Sequence, residues 1–163
     1  KIKIATAALG QAVAPDVCYL ALRGLRTLSV RLEHHQESAL TLAKWLRERP
    51  EVATILHPAF DTCPGHEIWQ RDFTGSSGLF SIVLKDFTAE QVNAMLDDMD
   101  YFAMGFSWGG FESLMVASDP TKIRSATKWE NAGPLLRLHA GQEDVEDLIA
   151  DLERGLKRLT GKR

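Results

Sequence analysis

The sequence predicts an α+β (α/β) fold: a small antiparallel or mixed sheet with helices packed on one face, preceded by a long helix. Short apolar segments typical of strands alternate with helical segments after residue 50. Several strand segments are too close in sequence for the crossover helices that parallel neighbours need, which favours an antiparallel or mixed sheet. With 163 residues, 45% of them hydrophobic, the chain is long enough for one globular unit around one core.

A helical region opens the chain. Residues 16–48 contain many helix formers and few breakers, and they predict one long helix or two joined helices. Gly24 weakens the single-helix alternative, because a glycine inside a helix costs about 1 kcal/mol relative to alanine. We therefore expect a connecting segment with this long helix over residues 1–48 and a small C-terminal domain over residues 49–163.

The next elements are two strands with a loop between them. Residues 52–56 and 79–84 are short apolar segments that predict strands. Residues 61–78 are rich in glycine, serine, threonine and proline, and they predict a surface loop that contains a short helix. Thr88 and Gln91 have the spacing of a capping box, which predicts a helix from there to about residue 98.

The second half of the chain predicts three more strands and one helix. The strand segments are residues 101–104, 114–117 and 135–139. In the final helix the apolar residues fall on one face, the acidic residues come early and the basic residues come late, as the helix dipole favours. The apolar residues of that face are Val145, Leu148, Ile149, Leu152, Leu156 and Leu159.

Composition argues against several function classes. A net charge of −3 and a pI of about 6.0 provide no overall attraction to nucleic acid or to an anionic membrane, so we expect neither partner. No segment approaches the ~20 apolar residues that span a bilayer. Cys18 and Cys63 are far apart and the histidines lack ligand spacing, so we expect no disulfide and no metal site. Two free thiols are typical of a reducing cytoplasm, which is the location we expect.

The turn GFSWGG, residues 105–110, has the Gly-x-Ser-x-Gly spacing of a serine-hydrolase nucleophile elbow, with Ser107 as the nucleophile. Asp119 and His139 follow in the order that a triad requires, but no helical pattern follows the turn and few residues remain for the rest of such a fold. The alternative is anion binding. Glycines let backbone N–H groups approach a carboxylate closely, and the serine hydroxyl adds a further donor.

An anion site also needs a cation, and Arg137 is the candidate. It lies between two leucines in an apolar strand segment. An arginine there either pairs with an internal carboxylate or presents its planar fork to the carboxylate of a ligand. The pattern alone leaves both alternatives open.

Several longer segments share one family pattern. They include SWGGFESL at the turn and LLRLH in the last strand, and the full set is residues 22–32, 66–81, 107–114, 135–139 and 141–152. Together they resemble the C-terminal part of the Cys/Met-metabolism family of pyridoxal-phosphate (PLP) enzymes. Within that family, the tryptophan of the turn and the pattern Gly-His-Glu-x-Trp-x-Arg-Asp-Phe at residues 65–73 are most similar to the bacterial β-lyase branch.

The resemblance implies the C-terminal domain of a fold type I PLP enzyme. It implies that the full-length enzyme is a carbon–sulfur lyase of amino-acid metabolism, which converts cystathionine to homocysteine, pyruvate and ammonia, and that it is a homo-oligomer, a tetramer in this family. The γ-synthase and γ-lyase branches, a non-catalytic oligomerisation fragment and the serine hydrolase remain alternatives.

The resemblance also implies roles for four substrate-binding residues. Arg137 would pair with the α-carboxylate of the amino-acid substrate, and Ser107 and Trp108 would assist through backbone and side-chain donors. Trp108 would also screen the pocket from water. Phe106 stands where this branch often has tyrosine, so the aromatic face is kept and the hydroxyl is lost.

The segments that resemble the family do not include the residues that hold its cofactor. The family holds PLP through a Schiff-base lysine and an aspartate at the pyridinium nitrogen, and both would precede residue 1. No lysine of this sequence lies in a matching motif. We therefore expect no catalytic, cofactor-binding or metal-binding residue here and no activity of the chain alone. The chain begins with Lys1 rather than methionine, so we expect it to be a piece of a longer protein.

Overall fold

Two helices form the beginning of the chain: α1 (Ile2–Ala8) and α2 (Pro15–Leu25). Pro15 stands in the first turn of α2, where its missing N–H removes no helical hydrogen bond, and Asp16 adds a negative charge that the helix dipole favours. Neither helix has a buried residue. The computed structural model describes residues 1–122 and 124–161.

The helical region predicted over residues 16–48 consists of two helices, α2 and α3 (Leu28–Arg47). The break follows Gly24, whose carbonyl oxygen accepts from the Thr27 backbone at 3.3 Å, from the Thr27 hydroxyl at 3.3 Å and from the Arg31 guanidinium at 2.6 Å. These donors replace the N–H four residues on that would continue the helix. The structure therefore has two joined helices rather than one long helix.

The chain divides into two compact units, Lys1–Arg31 and Leu32–Arg163. This division differs from the predicted one after residue 48, because the second half of α3 buries side chains in the core of the second unit. Those side chains are Ala39, Leu42, Ala43 and Leu46. As a division into domains, the boundary after residue 48 stays a prediction.

The second unit contains one four-stranded sheet in which every neighbouring pair is antiparallel. Its order is β1-β2-β4-β3, so β4 lies between β2 and β3. The four strands are β1 (Val52–Leu56), β2 (Leu79–Leu84), β3 (Leu114–Ser118) and β4 (Leu135–His139). This confirms the predicted small sheet, whose pairing is antiparallel rather than mixed.

Side chains of the sheet alternate between a core face and an opposite face. On β4 the core face carries Leu136 and Leu138, which are fully buried and lie opposite Ile82 and Met115 on the neighbouring strands. These residues belong to one hydrophobic cluster with side chains of α3 and of the later helices. Arg137 and His139 therefore belong to the other face of β4.

Three shorter helices complete the second unit: α4 (His66–Asp72), α5 (Ala89–Leu96) and α6 (Val145–Leu159). The capping box predicted for α5 is confirmed, since Thr88 accepts from the Gln91 N–H and Gln91 accepts from the Thr88 N–H. Asp144 caps α6 by accepting from the Glu146 N–H at 2.9 Å. No helix in the described part of the chain is long and apolar enough to cross a membrane.

The strand predicted over residues 101–104 is wrong. Only Ala103 pairs with the sheet, through an isolated parallel bridge to Leu114. The backbone N–H groups before it are instead bound by the fully buried carboxylate of Asp151, which accepts from residues 100, 101 and 102 at 3.0, 2.8 and 3.2 Å. A side chain 50 residues away takes the donors that a strand neighbour would need, and an apolar pattern does not reveal such a partner.

Candidate substrate-carboxylate site

The turn at residues 105–110 is exposed to solvent over most of its length. Phe106 and Trp108 are 85% and 53% exposed, and Ser107 is exposed as well. Gly109 has φ 88°, a left-handed conformation that side-chain-bearing residues rarely adopt. Among the described residues, neither the Ser107 hydroxyl nor the N–H groups of Ser107 and Trp108 have a hydrogen-bond partner. The turn therefore presents a cluster of available donors.

Arg137 lies on the central strand β4 and reaches the start of this turn. Its Nη2 donates to the carbonyl oxygens of Gly105 at 3.2 Å and Phe106 at 2.9 Å. Arg137 makes no ion pair with any carboxylate of the described residues, so the internal salt bridge left open by the sequence is not found there. A guanidinium has five N–H donors, and these two contacts use only Nη2. The remaining donors can bind an external carboxylate beside the turn.

His139 reaches the other end of the same turn. Its Nε2 lies 3.2 Å from the Gly109 nitrogen and 3.2 Å from the Gly110 oxygen. The ring is 2% exposed, and burial lowers its pKa from the usual value because the charged form would lose its hydration. The neutral imidazole is thus the form that contacts the turn.

The segment after the turn is fixed by a separate polar network. Glu143 accepts from the backbone N–H and from the hydroxyl of Ser113, both at 2.8 Å, and that hydroxyl accepts from the Gly141 N–H at 2.8 Å. Ser113 is fully buried. Glu143, just before α6, therefore binds the segment that leads from the turn into β3, and it restrains the C-terminal end of the turn.

Comparison with known proteins places this chain in a family. The family model described as "Cys/Met metabolism PLP-dependent enzyme" matches residues 1–157. The chain belongs to this PLP-dependent family. Curated relatives include the cystathionine beta-lyases of Haemophilus influenzae and Escherichia coli, each 51% identical over 155 residues. In both cases the match covers 93% of this chain and 39% of the relative.

Solved structures of the same family share the fold. Cystathionine gamma synthase from Xanthomonas oryzae, in complex with aminoacrylate and cysteine, matches with a TM-score of 0.79 and 35% identity. That match covers 96% of this chain and 41% of the synthase chain. The mixed helical fold with a small antiparallel sheet is therefore that of a portion of a fold type I PLP enzyme, and the chain spans about two fifths of its relatives' length.

The residues of this chain do not fit as the anchor of the family's cofactor. A lysine that forms a Schiff base needs a desolvated environment in which its amine is activated. Every lysine among the described residues is exposed. The expectation that the PLP-binding lysine lies outside this chain stays a prediction.

Among the described residues, no base is hydrogen-bonded to the Ser107 hydroxyl, as the hydrolase alternative would require. His139, the base that the sequence order suggested, directs its Nε2 to Gly109 and Gly110 rather than to the Ser107 hydroxyl. The chain after Gly110 runs into β3, whereas a nucleophile elbow leads into a helix. The exposed hydroxyl therefore lacks the base and the backbone geometry that would activate it.

Sequence reasoning missed two contributors to the site. The sequence suggested His139 only as a member of a hydrolase triad and Glu143 only as one of the acidic residues near the start of the final helix. In the structure His139 binds the turn, and Glu143 binds Ser113 after it. The signal for His139 was available, because it stands two residues after Arg137 and alternate residues of a strand share a face. No comparable pattern marks Glu143, whose partner is 30 residues away.

Proposed function

We propose that this chain is the C-terminal domain of a PLP-dependent cystathionine β-lyase. The observation that carries the proposal is the 51% identity to enzymes of that name over 93% of the chain. The γ-synthase structure is 35% identical, which supports that branch less. The full-length enzyme would convert cystathionine to homocysteine, pyruvate and ammonia, and this domain alone would be inactive.

In this proposal Arg137, Ser107, Trp108 and Phe106 form the substrate-carboxylate site. Arg137 binds the carboxylate through the N–H groups of Nε or Nη1, which the turn carbonyls leave available, and its position is fixed by those carbonyls. The Ser107 hydroxyl and the neighbouring N–H groups add donors. Trp108 and Phe106 supply aromatic surface that excludes water when the pocket is completed by the rest of the enzyme.

We also propose that the full-length protein is a cytoplasmic homotetramer. Apolar side chains of α2 support an interface, because several of them remain half-exposed or more in a helix with no buried residue. They are Val17, Tyr19, Leu20, Leu22 and Leu25, with exposures from 51% to 65%. A role in oligomerisation alone would use the same surface but would not need the site around Arg137.

The test is the product set of the PLP-loaded full-length protein acting on cystathionine. We expect pyruvate and a homocysteine thiol in equal amounts. A γ-lyase would release cysteine and 2-oxobutyrate instead, and a γ-synthase would form cystathionine rather than consume it. Failure to cleave cystathionine between the β-carbon and sulfur would refute the proposal.

The variant Arg137→Ala connects this activity to the site. We expect it to lower kcat/KM by the equivalent of about 2–5 kcal/mol, because the substrate carboxylate loses its charged partner. Arg137→Lys serves as the matched control, since it keeps the charge but cannot bind the turn and a carboxylate with one planar fork. An unchanged kcat/KM in Arg137→Ala would remove Arg137 from the site.

A further inference from the structure

Two side chains of β4 hold the turn at residues 105–110 from opposite ends. Arg137 binds its first two carbonyl oxygens, and His139 lies against its last two residues, Gly109 and Gly110. Between these two attachments lie Ser107 and Trp108, whose N–H groups have no partner among the described residues. The geometry of these donors therefore depends on both ends of the turn.

The His139 ring contacts the turn in either neutral tautomer. With the proton on Nδ1, Nε2 accepts from the Gly109 N–H; with the proton on Nε2, it donates to the Gly110 carbonyl. In both cases Nδ1 is buried with no partner among the described residues. An unpaired buried polar atom is costly, so stability alone would favour an apolar residue at this position.

The surroundings of the ring restrict its position. A Cβ atom on Gly78 would lie only 3.0 Å from the ring atoms Cε1 and Nδ1, and 2.4 Å from the Ala140 oxygen, so only glycine fits there. The His35 ring lies 5.1 Å away, and its Nδ1 is 2.6 Å from the same Ala140 oxygen. The His139 ring is thus packed between Gly78, which precedes β2, and His35 of α3, while its Nε2 contacts the exposed turn.

We propose that His139 is a positioning residue for substrate binding: its Nε2 fixes the Gly109–Gly110 backbone, so that the donors at Ser107 and Trp108 stay aligned with Arg137 around the substrate's α-carboxylate. This inference rests on the proposed lyase function. His139 is 2% exposed and contacts the turn rather than its exposed surface. Its effect passes through the turn, and a displaced turn would weaken carboxylate binding even though every contacting residue is still present.

The test compares two amide variants that differ in which ring nitrogen they replace. In His139→Gln the amide extends to the position of Nε2, whereas in His139→Asn it extends only to that of Nδ1. In the PLP-loaded full-length enzyme we expect KM for cystathionine to rise about tenfold in His139→Asn with kcat changed less than about twofold, because the lost contact affects binding. His139→Gln should restore most of the wild-type KM.

A second measurement does not depend on activity. Hydrogen exchange of the Gly109 amide, whose N–H donates to Nε2 of His139, should be about tenfold faster in His139→Asn than in His139→Gln, since the shorter Asn side chain does not reach that N–H. His57→Asn is the matched control: this fully buried histidine packs against Phe60 and Phe80, away from the turn. His57→Asn should change neither the KM nor the exchange of the Gly109 amide.

The outcomes separate the two proposals. If the wild type cleaves cystathionine but His139→Asn changes neither the KM nor the exchange of the Gly109 amide, His139 is not a positioning residue. If the wild type does not cleave cystathionine, the lyase proposal fails, and slower exchange in Gln than in Asn still identifies His139 as the residue that fixes the turn. Equal exchange in both variants would overturn that assignment as well.

Discussion

Arg137 and His139 show how one strand can position a binding turn with the face opposite its core face. Their two neighbours, Leu136 and Leu138, are fully buried in the core, which fixes β4 in place. The polar pair then projects from a rigid element toward an exposed turn, and each side chain binds backbone atoms of that turn. The exposed turn is thereby attached to a strand that the core holds in place.

Part of this could be predicted residue by residue. Arg137 was identifiable because a charged side chain between two leucines of a strand requires a partner. The partner itself was not predictable: the guanidinium binds two carbonyl oxygens, and sequence patterns do not show which backbone groups are free. The four predicted substrate-binding residues lie together at the turn, and their role in binding substrate stays a prediction.

His57 gives a pH prediction at the same scale. Burial lowers the pKa of His57, and a hydrogen bond to its own backbone opposes this only in part; burial also lowers the pKa of His139. Below the usual histidine pKa of about 6.5 the unfolded chain binds these protons and the folded chain does not. We therefore expect the free energy of unfolding to fall as the pH decreases below that value, toward the lowered pKa values of the folded state.

Urea unfolding at pH 7.5, 6.5 and 5.5 measures this dependence. His57→Asn keeps an acceptor near the Ala59 N–H but cannot titrate, so its free energy of unfolding should vary less with pH than that of the wild type. His34→Asn is the control, since that histidine is exposed. Identical pH profiles for the wild type and His57→Asn would contradict the prediction.

At the scale of elements, the Asp151 carboxylate organises the loop between α5 and β3. It is fully buried, accepts three successive backbone N–H groups at residues 100–102 and also contacts Arg154 at 3.1 Å. The apolar pattern of residues 101–104 predicted a strand, and this carboxylate is the reason that none forms. Local pattern describes side-chain burial well, but it does not identify the acceptor of a buried N–H.

This arrangement predicts a large effect of a small change. Asp151→Asn keeps the shape of the side chain but replaces one acceptor oxygen with a donor that faces backbone N–H groups. We expect it to lower the free energy of unfolding by about 2–3 kcal/mol, because buried donors lose a charged partner. Chemical denaturation of the variant and the wild type measures the difference.

Arg154→Gln is the control for Asp151→Asn. Arg154 is 44% exposed and pairs with the exposed Asp100 and with the buried Asp151. Asp151 keeps its three backbone donors when Arg154 is replaced, so Arg154→Gln should lower the free energy of unfolding less than Asp151→Asn does. If Asp151→Asn were no more destabilising than Arg154→Gln, the three N–H contacts would not be the source of the stability.

The helices differ in how well their sequence determined them. The capping box before α5 and the amphipathic pattern of α6 are local signals, and both predicted their helix. The ends were less certain: α5 stops at Leu96, two residues before the predicted end. The break between α2 and α3 depends on an Arg31 side chain that reaches back to Gly24, a contact that helix propensity does not contain.

At the scale of the whole molecule, the chain is expected not to bind PLP covalently at one site. Every described lysine is exposed, so any Schiff base formed with added PLP should exchange rapidly and be lost on gel filtration. The visible absorption of bound PLP should therefore be absent from the filtered chain and present in the full-length protein. A stoichiometric band in the filtered chain, reduced by borohydride onto a single lysine, would contradict this.

The sequence by itself determined the fold class with a small antiparallel or mixed sheet, the family and the group of residues around the turn, because these depend on periodic burial, on local capping and on motifs that are contiguous along the chain. Only the tertiary structure decided which groups hold that turn. Arg137 and His139 meet residues 105–110 across about 30 positions of sequence, and Asp151 replaces a predicted strand from a distance of 50. Such contacts are selected by the packing of β4 and α6, which a linear pattern does not contain.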